Sequence, residues 1–170
     1  MSQLIECVPN FSEGIDVAVI KQITDAIEAV DGVTLLDVDP GADTNRTVVT
    51  FVGAPEPVIE AAVRAAANAK ELIDMRTHTG AHPRFGAMDV CPLVPVANIT
   101  MDEVVSCAHR LAERLGQEVG ISGFLYEYAA KIAERRNLAT CRAGEYEALR
   151  ERLSDPAWKT DFGPGTFDPA

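Results

Sequence analysis

Val33–Val52, VTLLDVDPGADTNRTVVTFV, decides how this chain folds. Val33–Val38 is a short apolar strand, and Thr47–Val52 is strongly β-branched and reads as another. The DPGADTNR stretch between them is turn chemistry, with no room for a helix. Two strands in direct succession make an antiparallel pair. On the N-terminal side, Asp16 can cap a helix whose apolar positions Ile20, Ile23, Ile27 and Val30 recur at helical spacing; Gly32 stops it. Before that helix, Leu4–Val8 is a strand ended by Pro9 and Asn10. On the other side, Pro55 and Pro57 open an alanine-rich helix to about Ile73, and Met88–Val96 is a fourth strand. The order β-α-β-β-α-β predicts an α+β fold, a ferredoxin-like sandwich with an antiparallel sheet and its helices on one face.

Additional elements follow. Thr100 and Glu103 form a capping-box signature, and Val104, Val105, Ala108, Leu111, Ala112 and Leu115 mark one face of a long helix. Ile121–Leu125 is read as a fifth strand, with shorter helices over Tyr128–Arg135 and Glu145–Leu153. The Arg135-Arg136 pair reads as a solvated helix end. The tail from Asp155 sets Trp158, Phe162 and Phe167 among prolines and glycines and needs cover, from the chain's own sheet or from another domain.

The composition excludes several function classes. A chain of 170 residues makes one domain, spanning 1–170, and hides roughly 70% of its unfolded surface. A net charge of −11 argues against nucleic acid and anionic membranes as partners. No apolar run approaches ~20 residues, and MSQLIECVPN lacks a signal-peptide pattern, so a cytoplasmic protein is expected. Cys7, Cys91, Cys107 and Cys141 are scattered and read as reduced, mostly buried thiols, not a zinc site.

Chemistry concentrates in Arg76–Pro95, RTHTGAHPRFGAMDVCPLVP. His78 and His82 stand four residues apart, Gly80 and Gly86 bracket the second, and Pro83 stiffens the chain directly after it. Histidine titrates nearest neutral pH and is the default proton shuttle. From spacing alone, His82 is either that shuttle or an ordinary polar loop residue. His78 either helps orient a substrate or caps a helix end; His109 lies in a helical pattern, on the solvent side. Two histidines with scattered aspartates make no ligand set, so no metal is expected.

LIECVPNFSEG (4–14), LLDVDPGADTNRTVVTFVG (35–53), HTGAHPRFGAMDVCPLVPV (78–96), RAGEYEALRERL (142–153) and DFGPGTF (161–167), in that order, resemble the formiminotransferase family in its N-terminal subdomain. The resemblance implies transfer of the formimino group of N-formimino-L-glutamate to N5 of tetrahydrofolate, a co-substrate, during histidine breakdown. It places the family's catalytic histidine on His82. It also places the folate-contacting stretch on Gly163–Ala170, which includes Pro164, Gly165, Thr166 and Phe167. A second subdomain, absent from this chain, would complete the folate tunnel, so the expected partners are that subdomain or a homodimer mate. The other reading is a non-catalytic folate-binding or assembly module.

Both substrates implied by the resemblance carry glutamate carboxylates, which guanidinium groups bind through paired hydrogen bonds. Arg84 and Arg46 are the candidate anion holders in an otherwise acidic chain; Arg46 reads equally as a structural partner of Asp43 or Asp39. Asp39 and Asp89 are candidates to orient the imidazole or steady the cationic amidine, while Asp39 also suits a turn. Asn10 and Ser12 are candidates for the same cleft, with helix capping as the competing role for Ser12.

Overall fold

The computed structural model describes residues 2–170. Its central hairpin is longer than the sequence pattern indicates. β3 (Val33–Gly41) and β4 (Arg46–Gly53) pair from Val33↔Gly53 to Gly41↔Arg46. Asp39, Pro40 and Gly41 are therefore ladder residues and not turn residues. Pro40 is tolerated because β3 is an edge strand and pairs only with β4. The remaining turn closes at Asn45, whose φ of 46° lies in the left-handed region that asparagine tolerates.

β1 (Leu4–Cys7) and β2 (Asn10–Phe11) form one bent row along the other side of β4. β5 (Met88–Val90) and β6 (Leu93–Ala97) form the next row, against β2 and β1 respectively. The single strand expected over Met88–Val96 is thus two. Pro92 offers no N–H to the ladder, and Pro9 interrupts the neighbouring row at the same level. The rows run β3, β4, β1/β2, β5/β6, with every pairing antiparallel.

α1 (Val17–Glu28) begins at Asp16, whose Oδ1 accepts from the N–H groups of Ala18 and Val19. α2 (Pro55–Leu72) carries its prolines in the first turn, where no intrahelical N–H is lost. Ile5, Cys7, Val49 and Phe51 of the sheet meet Ile23 and Ile27 of α1 and Val58, Ile59 and Ala62 of α2; all belong to one buried cluster. Fully burying each large aliphatic or aromatic side chain contributes about 1.5–3 kcal/mol, against about 1 kcal/mol for a helix cap. Sheet–helix packing therefore dominates, and the caps set where the helices start.

α3 (Met101–Arg114) has the expected capping box at Thr100 and Glu103 and runs into a π turn, Leu115–Val119, closed by Gly120 at φ 72°. Lys70 Nζ donates to the carbonyls of Val119 and Gly120, neutralising that end. Among the described residues, no helix is long and apolar enough to cross a membrane.

The C-terminal third departs most from expectation. Ile121–Leu125 is not a strand; it makes a single bridge, Gly123↔Phe162. The Phe162 ring lies where a Cβ on residue 123 would stand, so only glycine fits. The helix expected over Tyr128–Arg135 is two 3₁₀ turns, Glu127–Ala129 and Ala133–Arg136, separated by the extended residue Ile132. α4 (Leu138–Arg142) and α5 (Glu145–Arg152) follow. Arg135 is not solvated. It is 4% exposed, pairs with Asp161 at 2.8 Å, donates to Lys159 O, and lies 4.7 Å from the Phe124 ring centroid. The aromatic tail is covered by the chain itself: Phe162 on Gly123, Trp158 edge-on to Phe124, and Phe167 against Tyr146.

Candidate functional site

Strand register gathers three of the candidate residues. Asn10, Val48 and Asp39 are Cα partners in one row across β2, β4 and β3. Side chains opposite one another in an antiparallel ladder share a face, and faces alternate along each strand. Arg46 therefore joins Asn10 and Asp39 on the face away from the helices, while Thr47 and Val49 are buried on the other. Asn10 and Asp39 stand two strand spacings apart, roughly 10 Å. Asp39 is exposed, and Asn10 is enclosed with its amide donating to Val8 O.

The histidine loop is fastened over one end of this face. Ser12 Oγ donates to Gly86 O, and Ser12 N–H donates to Ala87 O. Ser12 thus ties β2 to the loop and leaves the capping of α1 to Asp16. Ala81 N–H donates to Asp43 O, which draws Gly80 onto the backbone of Thr44. Asn45 completes the attachment. Its Oδ1 accepts from Gly14 N–H, its Nδ2 donates to Thr79 O, and its carbonyl accepts from His78 Nε2 at 2.8 Å. Gly80→Ala would drive a Cβ into Thr44 O and is expected to lower stability by about 1–3 kcal/mol. Faster amide exchange at Ala81 would show the loop parting from the turn; unchanged exchange and Tm would contradict this packing.

His82 is half-buried. Its Nδ1 lies 2.7 Å from Pro83 O, and a carbonyl only accepts, so Nδ1 carries the hydrogen and Nε2 keeps its lone pair. Arg46 Nη1 stands 2.7 Å from Nε2 and 3.0 Å from Nδ1. With Nδ1 committed to Pro83, the bond that Arg46 donates goes to Nε2. His82 is the one hydrogen-bond partner of the Arg46 side chain among the described residues, and Arg46 makes no ion pair with Asp39 or Asp43. Its Nε and Nη2 remain open to a ligand.

Arg84 is placed differently from the anion-holding role read in the sequence. All five of its N–H donors are used within the chain: Nε to His78 Nδ1, Nη1 to Glu145 and Glu147, Nη2 to Glu147 and His78 O. Arg84 is 6% exposed and fastens α5 to the histidine loop. His78 likewise has both ring nitrogens engaged, and the end of α2 is formed by Ile73, so His78 caps no helix.

Hydrogen bonding from Arg84 lowers the Glu147 carboxyl from 4.5 to about 2. A depressed carboxyl contributes stability that is present above its unfolded value and lost as pH falls towards the folded value. The difference in Tm between the wild type and Glu147→Gln should therefore close as pH drops from 4.5 towards about 2. A constant difference across that window would show that the pairing carries no linkage. Glu147 is largely exposed, which keeps the effect small.

Asp89 has a fully enclosed carboxylate that accepts from Phe85 N–H at 2.9 Å and Arg142 Nη2 at 2.7 Å. Burial pushes its pKa up against the opposing pull of Arg142, the Phe85 amide and nearby His82. It holds the exit of the loop without bonding the imidazole. The tail lies elsewhere. Gly163 abuts the Ile121 backbone, and Gly165 N–H donates to Ser122 Oγ. Phe167 packs at a tilt against Tyr146, whose amide donates to Arg84 O. Pro164 and Thr166 are exposed. Gly163–Phe167 therefore connects to the histidine loop through α5 and Arg84 without touching His82.

A cavity of about 330 Å³ opens between α3, the β5/β6 row and residues 121–129, lined by Phe85, Asp89, Phe124, Tyr126 and Thr166. Burial pushes the Tyr126 phenol up. Neither His82 nor Arg46 lines this cavity, which adjoins the histidine loop at its Phe85–Asp89 end only. Among the described residues, no cluster of His, Cys, Asp and Glu is arranged to hold a metal ion.

Comparison with known proteins adds a family. The description "Formiminotransferase domain, N-terminal subdomain" matches residues 4–170. The chain belongs to this family. Formimidoyltransferase-cyclodeaminase from Gallus gallus is 57% identical over 169 residues, covering 99% of this chain and 31% of that protein. Its counterpart in Dictyostelium discoideum is 52% identical, covering all of this chain and 32% of that protein. Glutamate formimidoyltransferase from Streptococcus pyogenes serotype M1 is 44% identical, covering 99% of this chain and 56% of that protein. The chain thus spans about a third to just over half of the length of these relatives. In this formiminotransferase subdomain, the parts that sequence reading missed are Asn45, Glu145, Glu147 and Tyr126. An asparagine closing a hairpin turn was the one available signal, since the other three act through partners distant in sequence.

Proposed function

We propose that this chain forms the N-terminal half of a glutamate formimidoyltransferase site, which moves a formimino group from N-formimino-L-glutamate to N5 of tetrahydrofolate. The observation that carries the reading is the His82–Arg46 pair: a half-buried imidazole with its Nε2 lone pair held 2.7 Å from a guanidinium that has donors to spare. Family membership and the names of the relatives support it. The row order and uniform antiparallel pairing support reading the core as a ferredoxin-like βαββαβ sandwich.

In this reading N5 attacks the amidine carbon to give a tetrahedral intermediate. N5 must lose a proton and the departing glutamate nitrogen must gain one. His82 Nε2 takes the first and returns it to the second, while Pro83 O holds the ring in the required tautomer. The glutamate carboxylate draws Arg46 away from Nε2, which frees that nitrogen as the substrate arrives. Asp39 and Asn10 border the same face, and Asp39 offers a carboxylate to the cationic amidine. Gly163–Ala170 supplies a folate wall beside the cavity that Thr166 lines. Leu36, Val94 and Val96 are exposed on the open sheet face at 56%, 39% and 52%, which suits cover by a second subdomain. The protein is read as cytoplasmic and as a homodimer, and it uses no metal.

Incubation with both substrates, with and without the second subdomain of a relative, tests this. 5-Formiminotetrahydrofolate is expected only when the second half is supplied. Folate binding without turnover in either case would indicate a binding or assembly module. Neither turnover nor folate affinity would overturn both readings.

A further inference from the structure

The breaks at Pro9 and Pro92 fall side by side in adjacent rows, and they bring two cysteines together. Cys7, the last residue of β1, pairs through its Cα with Leu93, so Cys91 is its diagonal neighbour. Diagonal side chains in a regular ladder stand about 7–8 Å apart at Cα. Here the chain bends, and Cys7 Sγ lies 3.5 Å from Cys91 Sγ, both thiols free. Cys7 is fully buried, whereas Cys91 is half-buried and lines the apolar cavity described above. Cys107 and Cys141 have no thiol at such range among the described residues.

We infer that Cys7 and Cys91 form an oxidisable dithiol site that small uncharged peroxides, entering the cavity, convert to an intramolecular disulfide. The inference is independent of the transferase reading. Cys91 reacts first because it faces the cavity; Cys7 is fully buried, and burial and the adjacent Cys91 sulfur push its thiol well up, which keeps it from meeting the peroxide first. Cys91 sulfur attacks one peroxide oxygen, the O–O bond breaks, and Cys91 becomes a sulfenic acid with release of water. Cys7 sulfur then attacks Cys91 sulfur. The S–S bond forms, the S–O bond breaks, and the departing hydroxide leaves as water with the Cys7 proton. In sum, two thiols lose two hydrogens and one hydrogen peroxide is reduced to two waters, or an organic hydroperoxide to its alcohol and one water. Closing 3.5 Å to a disulfide length of about 2.05 Å needs only a small shift, and Cys91, between β5 and β6 and outside the ladder, is the residue placed to make it. A bulky anionic disulfide such as oxidised glutathione fits the apolar approach poorly, and its reaction should be slower.

Brief exposure of the whole chain to hydrogen peroxide, followed by thiol counting in denaturant and peptide mapping, tests this. The count should fall from four to two, with Cys7 and Cys91 cross-linked and dithiothreitol restoring all four. Cys91→Ser should keep its three remaining thiols under the same exposure, and a Cys107→Ser/Cys141→Ser variant should still lose both of its own. Four surviving thiols, over-oxidation of Cys91 without a cross-link, or loss confined to Cys107 or Cys141 would each overturn the inference. A glutathione adduct forming faster than the peroxide-driven cross-link would overturn the ligand class. Mapping of the unmodified chain decides the matter even where a variant fails to fold.

Discussion

His82→Ala, assayed with the second subdomain supplied, is expected to lower formimino transfer by about 10²–10⁴-fold, the usual contribution of a positioned acid–base group. The loss should fall on kcat, because the imidazole acts on protons in flight and not on either carboxylate. Stability should change by about 0.5 kcal/mol or less, since the ring is half-exposed and its bonds run to one carbonyl and one flexible guanidinium. Arg46→Gln provides the contrast. If Arg46 receives the substrate carboxylate, its removal should raise KM for formiminoglutamate more than it lowers kcat. A folded His82→Ala protein that transfers at the wild-type rate would remove the imidazole from the mechanism.

Arg135→Ala should have the largest effect on folding, a loss of about 3–5 kcal/mol. Its partner Asp161 has a side chain 6% exposed and would be left as an uncompensated buried carboxylate, still bonded to Leu125 N–H. Phe124 would also lose the cation over its ring. Against a typical total of 5–15 kcal/mol, this is a substantial fraction. The chain has a single tryptophan, Trp158, which packs edge-on to Phe124. Its fluorescence during urea unfolding therefore reports on the affected region directly. Arg135→Met combined with Asp161→Leu should recover most of the loss, because the penalty lies in the unpaired charge and not in the missing pair. A single-variant loss below about 1 kcal/mol would show that water reaches Asp161 freely.

The two predictions differ in how visible their residues were beforehand. His82 stands out by chemistry: an imidazole, the side chain most often used to shuttle protons, flanked by glycines and a proline. Arg135 is one of two adjacent arginines in a polar stretch, and nothing local separates it from Arg136. What distinguishes it is Asp161, 26 positions away, together with carbonyls from the tail. The same contrast runs through the arginines of the site. Arg46 and Arg84 carry the same chemistry, and each was a reasonable carboxylate holder. Glu145 and Glu147 on α5, together with His78, satisfy Arg84 completely, while Arg46 is left beside the imidazole of His82.

Local sequence determined the helices α1, α2 and α3, their caps, the central hairpin and the location of the histidine loop, because periodicity, capping and turn chemistry act over a few neighbours. Tertiary structure alone decided the rest. It set the length of β3 through pairing with β4, and it interrupted β5/β6 where two prolines meet across adjacent rows. It also shaped residues 121–170 around buried arginines in place of the strand and helix that their pattern suggested. Those outcomes depend on which groups desolvate together across long stretches of chain, and burying a charge imposes a larger free-energy constraint than local propensity can oppose.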